Sequence, residues 1–298
     1  EFPAVAVIVS TTAGVTIYDA DDPDMPMWMV FVKTTPIFGR SIAWGDIKCC
    51  SMLNGTLALG NSSSSAEGLL KVNFISDDGF LYAIQSYSEY GGPYTLGIAS
   101  RASSYDYDTA GATVIVSSPV NDVAMTVLPN ALIDSVTGLP VPTIAVATNG
   151  GTSLIKDNGS VVDILNWSNY RTMRVAFDRQ GRLFIHDAHP AVGGYGGVVQ
   201  FNTLPSSDVT TTSNNHADGD VLYYANYNGW NLPRSIDNNY LGFNAISAGD
   251  GELALGTYQA GFARLHYTEG GDGIAAFYGS DHASYYAPRN TKGVFLAE

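Results

Sequence analysis

The chain has 298 residues and a formal net charge of −14, from 28 acidic and 14 basic residues. No Lys/Arg cluster is present, so phosphate-backbone attraction is missing; this argues against a nucleic-acid partner and, for the same reason, against an anionic membrane surface. With 32 Gly, 18 Tyr, 12 Phe and only 14% charged residues, the composition suits short strands joined by many turns, and fits neither a helical protein nor a disordered one.

The first segment, "AVAVIVSTTAGVTIYDADD" from Ala4, alternates, breaks at small residues and alternates again before "MPMWMVFV". Period-two alternation is the signature of a strand with one face buried. The turn "DADDPD" places Asp19, Asp21, Asp22 and Asp24 together, a weak candidate for a hard cation. It lacks the Gly and closing Glu of an EF-hand loop, and a solvated acidic turn is the competing reading.

The second segment runs "DIKCCSML", "TLALGNSSSSAEGLLKVNFISDDG" and "FLYAIQSY". Its two cysteines, Cys49 and Cys50, are the only ones in the chain. Adjacent on a strand, they point to opposite faces, so a mutual disulfide would distort the backbone, and both read as small buried apolar side chains. Ser88 to Pro119, rich in Tyr, Ser and Gly, reads as an outer hairpin extension.

The third segment is "NDVAMTVL", then the long connection "PNALIDSVTGLPVP" (Pro129 to Pro142), then "TIAVATNGGTSLIKDNG" and "VVDILNW". Gly150 and Gly151 are expected to supply positive φ, and Asn158-Gly159 is a strong hairpin signal. In the fourth, "TMRVAF" precedes "RLFIHDAHPAVGGYGGVVQFN", a long polar connection and "VLYYANY". His186 and Asp187 fall on opposite strand faces, a poor metal cluster even with His189 nearby, so a strand-end His-Asp hydrogen bond is expected. His216 and His282 sit in acidic polar loops without metal-site spacing. The fifth is "FNAISA", "ELALGTYQAGFARLHYTEGGDG" and "GIAAFYG", after which "KGVFLAE", Lys292 to Glu298, remains.

Five units of inner, second, third and outer strands predict an all-β, five-bladed β-propeller of four-stranded antiparallel blades. The first unit lacks an inner strand, and the spare C-terminal strand is expected to join it and close the ring. The expected boundaries are 4–33 with 292–298, 45–87, 121–167, 171–226 and 243–279, with an insertion at 88–119, all in one domain over 1–298.

The expected inner strands begin with Asp46, Asp122, Arg171, Asn244 and Lys292. Two aspartates and two cations around one channel mouth fit a ligand site or a self-neutralising ring of ion pairs. Glycosidic cleavage needs one protonated and one ionised carboxyl, and Asp46 with Asp122 is the only such pair the pattern offers; the third acid usual on this fold is missing. Tyr227 and Trp230 in "YYANYNGWNLP" are of the type that stacks on sugar faces, so they join the candidate binding set. No nucleophile elbow, P-loop or dinucleotide fingerprint occurs, so no cofactor is expected.

The run "VNDVAMTVLPNALIDSVTGLPVPTIAVATNGGTSLIKDNGSVVDI", Val120 to Ile164, resembles segments of tail-fibre-like structural proteins of tailed bacteriophages, especially marine and environmental ones. "NGTLALGNSSSSAEGLLKVNFISDDG" resembles their neighbouring unit, and the likeness extends over Ser41 to Asn202. It implies a virion appendage in a virion or extracellular setting, contacting a host-surface glycan or protein and other virion proteins, with further domains in a longer chain. It carries no active-site residues across. The alternatives are a propeller glycoside hydrolase using Asp46 and Asp122, and a lectin unrelated to viruses.

Overall fold

In the computed structural model, which describes residues 2–11, 14–32, 47–61, 67–84, 91–100, 108–165, 171–188, 196–210, 221–225, 243–249, 252–257, 262–266, 274–278 and 284–286, the alternating segments are antiparallel strands. The first sheet is β1 (Ala6–Thr11), β2 (Gly14–Asp19) and β3 (Met27–Val32) in that order. The second runs β4 (Ile47–Leu53), β5 (Thr56–Asn61), β6 (Glu67–Asn73) and β7 (Asp78–Ile84). Two short pieces, β8 (Gly92–Pro93) antiparallel and β9 (Val114–Ile115) parallel, share the outer edge of β7. The third sheet contains β10 (Val120–Thr126), β11 (Thr143–Thr148), β12 (Gly151–Ile155) and β13 (Val161–Leu165). The fourth begins β14 (Arg171–Phe177), β15 (Leu183–Ala188) and β16 (Gly196–Phe201). The chain then returns through β17 (Val209–Thr210), which pairs parallel with β13, before β18 (Val221–Ala225) completes the fourth sheet. The fifth runs β19 (Phe243–Gly249), β20 (Glu252–Thr257), β21 (Phe262–His266), β22 (Ile274–Tyr278) and β23 (Ser284–Tyr286).

Local chemistry sets the hairpins. Asn54 and Gly55, between β4 and β5, have φ of 50° and 74°. That pair of left-handed residues matches the twist of a two-residue hairpin, and Asn and Gly occupy it at least cost. Lys156 N donates to Ser160 O at 2.8 Å, closing the expected Asn158-Gly159 turn. At the Gly150-Gly151 connection the expectation needs narrowing, because the positive φ (139°) belongs to Gly151.

One irregularity recurs. β4, β10, β14 and β19 each skip a residue in their register with the following strand, at Lys48, Asn121, Met173 and Asn244. The same β-bulge near the start of the first strand of four sheets ties the units together as a structural repeat.

The closed five-bladed ring is corrected by the sheet topology. Among the described residues the five sheets are open, none closes on itself, and they hold three to six strands rather than four each. In the first sheet β1 has β2 as its neighbour, and the described residues place no further strand on its other edge. Lys292 to Glu298, the segment assigned to that edge, lie outside the described residues. The strand counts depart from four because segments between the expected blades supply edge strands: β8 and β9 come from the expected hairpin extension, β17 from the polar connection after β16. An unpaired strand edge is a row of free N–H and C=O groups, and whichever passing segment reaches it satisfies them.

The chain divides into two compact units, Glu1–Asn149 with Ser153–Asp163, and Gly150–Thr152 with Ile164–Glu298. In the first unit the second sheet is covered on both faces. Leu57, Leu59, Leu70, Val72 and Leu81 pack with Val15, Ile17 and Phe31 of the first sheet. Ala58, Leu69 and Tyr82, on the opposite face, pack with Val123, Ile144, Val146 and Ile155 of the third. All six residues of β5 are buried, as expected of a strand covered on both sides. Phe2 packs edge-on to Trp28 (ring centroids 4.9 Å apart) and against Phe74 (4.8 Å), sealing the margin of the first layer. Cys49 and Cys50 do lie on opposite faces, one beside each core, and neither is in a disulfide; they are half-buried rather than fully enclosed.

Gly60 lies where the second and third sheets meet. A Cβ there would sit 2.6 Å from Val120 Cγ1, and closer still to Cys49 Sγ, so the approach of the two sheets depends on the missing side chain.

In the second unit Leu183, Phe184, Val198, Val199 and Phe201 of β15 and β16 are buried. A polar chain crosses this interior: Thr152 Oγ1 donates to Thr172 Oγ1 at 3.2 Å, and Thr172 Oγ1 to Asp187 Oδ1 at 2.7 Å. All three side chains are buried, and the hydrogen bonds offset the desolvation of the carboxylate.

Candidate functional site

Within the first unit, the face of the second sheet that carries Leu69 and Tyr82 also carries Lys71 and Asn73 of β6, as period two requires. The arm of chain before β11 and the turn after β12 overhang this face and leave a cleft of about 100 Å³. Lys71, Asp78 and Tyr82 form its floor, and Asp134, Thr137 and Asp157 are on its walls.

The arm corresponds to the long connection Pro129 to Pro142, and it is a pinned hairpin rather than a slack polar loop. Ile133 bridges Pro140, Asp134 N donates to Leu139 O at 2.9 Å, and Val141 N donates to Leu132 O at 2.8 Å. Two contacts hold it to the body: Asn54 Nδ2 donates to Pro140 O, and Leu132 N to Asp157 Oδ2, each at 2.8 Å. Its tip exposes Ile133 and Val136, at 63% and 72%.

The electrostatics of the cleft centre on Lys71. Its Nζ lies 5.7 Å from the centroid of the Phe80 ring, a cation–π distance. Burial pulls its pKa below the usual lysine range, while the charges of Asp78 and Asp134 pull it back up. Asp134 is held below the usual carboxylate range, first by the Thr137 amide, with the Val136 amide and Lys71 acting in the same sense. Those amides donate to Asp134 Oδ1 at 2.7 and 2.8 Å. Tyr82 is pushed up by burial and then by the Asp78 charge, so its phenol stays protonated. The cleft therefore offers an amine, carboxylates, a phenol, hydroxyls and amides in one recess.

The residues expected to ring a channel mouth fall partly outside the described residues. Asp46, Tyr227 and Trp230 lie outside those residues, as do His189, His216 and His282. Asp122 is half-buried beside the β10 bulge, Arg171 is exposed at the start of β14, and Asn244 occupies the skipped position of β19. Two bulge residues of neighbouring sheets, Lys48 and Asn121, do meet. Lys48 Nζ donates to Asn121 Oδ1 at 3.1 Å, and Asn121 Nδ2 donates to Asn149 Oδ1 at 3.0 Å. Strand alternation alone assigns a bulged residue to the wrong face, and for that reason this chain was missed.

Asp19, Asp21 and Asp22 cap backbone amides, while Asp24 is exposed. Asp21 Oδ2 accepts from Ala4 N at 2.6 Å, Asp19 Oδ1 from Asp21 N and Asp22 Oδ1 from Asp24 N, each at 2.9 Å. Among the described residues no group of three His, Cys, Asp or Glu side chains is placed to hold a metal ion. Asp187 accepts from the Thr172 hydroxyl. Its neighbour His186 is fully buried, and desolvation, then the charge of Arg174, depress its pKa to about 3.

Little in the residue order points to the Lys71 cleft. The one available signal is a lysine at a core-facing position of "GLLKVNF", which strand alternation does place on the buried side.

No protein-family model and no curated protein matches the chain. Among solved structures it is similar to BBS1N, determined in complex with ARL6DN, with a TM-score of 0.41 and 11% identity over 97% of this chain and 68% of that one. It is also similar to the extracellular domain of a hybrid two-component system from B. thetaiotaomicron, with a TM-score of 0.26 and 14% identity over 96% of this chain and 45% of that one. Likenesses of this size carry no argument about fold or function.

Proposed function

We propose that the chain is a non-catalytic recognition module of a phage virion appendage, a tail or fibre component that binds a glycan or protein on the host surface. The observation that carries the reading is the cleft under the 129–142 arm, where an ammonium, carboxylates, amides and hydroxyls converge on a rigid sheet face. Such convergence of a few polar groups in a concavity is how small-ligand sites fix orientation. The arm lies within the stretch that resembles tail-fibre-like proteins, and its exposed aliphatic tip adds a second contact surface next to the cleft. The acidic balance of the chain sets nucleic acid aside as the target.

The test is a glycan array together with whole-cell binding, using the full chain. Saturable binding to a defined glycan or to host cells supports recognition. Absence of binding to both leaves a purely architectural role and refutes the proposal.

A further inference from the structure

We propose that the Lys71 cleft takes an uncharged, hydroxyl-rich sugar unit, and that Lys71, Asp134 and Asp78 select it. This rests on the recognition reading above and names the ligand class of the same site. Lys71 interacts with the charges of both Asp78 and Asp134, yet it forms no hydrogen bond or ion pair among the described residues. Cation and anions thus face one another across a gap too wide for direct contact. An ammonium carries three donors and no acceptor, and an ionised carboxylate only acceptors. A hydroxyl group fits between them, because its oxygen accepts from the ammonium while its proton goes to the carboxylate. Charge-assisted hydrogen bonds of this kind are about twice as strong as neutral ones.

Adjacent hydroxyls on one sugar ring would bridge Lys71 to Asp134 and to Asp78 in turn. Asp134 is held for this task by the amides of Val136 and Thr137, and Asp78 by the Ser76 hydroxyl, which donates to its Oδ2 at 2.7 Å. Leu139 and Pro140 on the arm offer apolar surface to the ring's C–H face.

The charge count decides against acidic sugars. Asp78, Asp134 and Asp157 line the cleft against Lys71 and Lys156, three anions to two cations. A carboxylated, sulfated or phosphorylated sugar would bring a further negative charge toward three carboxylates. The volume, about 100 Å³, admits the hydroxyl edge of one ring and not a drug-sized ligand.

The experiment is titration calorimetry of the full chain with neutral oligosaccharides ending in glucose, galactose or mannose, and with matched oligosaccharides ending in a uronic or sialic acid. Lys71→Met, Asp134→Asn and Asp78→Asn are compared with wild type after circular dichroism has checked their fold. The expected result is binding of a neutral oligosaccharide that changes less than twofold between 50 and 500 mM salt and weakens at least tenfold in Lys71→Met and Asp134→Asn. Protection of Lys71 from acetylation by the neutral sugar, read by mass spectrometry on wild type, is expected independently of any variant. If Lys71→Met does not fold, Asp134→Asn on the exposed arm and the acetylation footprint still decide. Neutral binding unchanged in the variants and without a footprint overturns the site and leaves the recognition reading intact. A preference for acidic sugars overturns the ligand class. Failure of wild type to bind any glycan, or host cells, removes this inference together with the reading beneath it.

Discussion

Acidification should loosen the second unit through one side chain, His186. Its ring is fully buried on β15, paired in register with Arg174 on β14 and Val198 on β16. Desolvation and the Arg174 charge hold its folded pKa at about 3, against 6.5 for an exposed histidine. The unfolded chain therefore takes up a proton below pH 6.5 that the folded one refuses until about pH 3. Stability from this group is complete above 6.5 and is lost as pH falls, with a slope of about 1.4 kcal/mol per pH unit. Between pH 7 and pH 4 the integrated loss is about 3 kcal/mol, a large part of the 5–15 kcal/mol typical of a domain. The assay is urea denaturation at several pH values, followed by hydrogen exchange in β14, β15 and β16 so that the second unit is read by itself. His186→Leu removes the titrating group, while the carboxylates contribute equally to both proteins and cancel. Wild type should lose about 3 kcal/mol more than the variant over this range. Parallel curves for the two proteins would refute the argument that burial keeps this ring neutral.

Three further outcomes test the packing of the first unit. Gly60→Ala should lower stability by about 1–3 kcal/mol in thermal or urea melts, since its methyl would enter space held by Val120 and Cys49. A double variant with Val120→Ala should recover part of that loss. Leu59→Ala, at a fully buried position between the first and second sheets, should cost about 2–5 kcal/mol, and a cost under 1 kcal/mol would mean that this layer is not packed as described. Alkylation after denaturation without reductant should add two labels, because neither Cys49 nor Cys50 is in a disulfide. In the native protein at pH 8 the Cys50 thiol should react slowly, as burial raises its pKa.

Much of the local structure was legible from residue order. Alternation is a steric property of an extended chain, so "TIAVAT" reads as a strand whatever it packs against, and adjacent cysteines on a strand part to opposite faces without reference to any neighbour. Turn residues such as Asn158-Gly159 act over a few bonds and were equally readable. The recurrence of these signals along the chain showed the repeat. What the order of residues left open is how sheet edges are completed, since β8, β9 and β17 are strands only because distant segments bring their backbones to a free edge. The closed ring was inferred from counting strands, a count that local alternation does not control. The bulges at Lys48 and Asn121 and the gathering of Lys71, Asp78 and Asp134 in one cleft belong to the same class. Steric alternation acts between neighbours in the chain, whereas a site depends on where segments far apart in sequence, such as β6 and the 129–142 arm, come to rest against each other, and only the tertiary structure decided that.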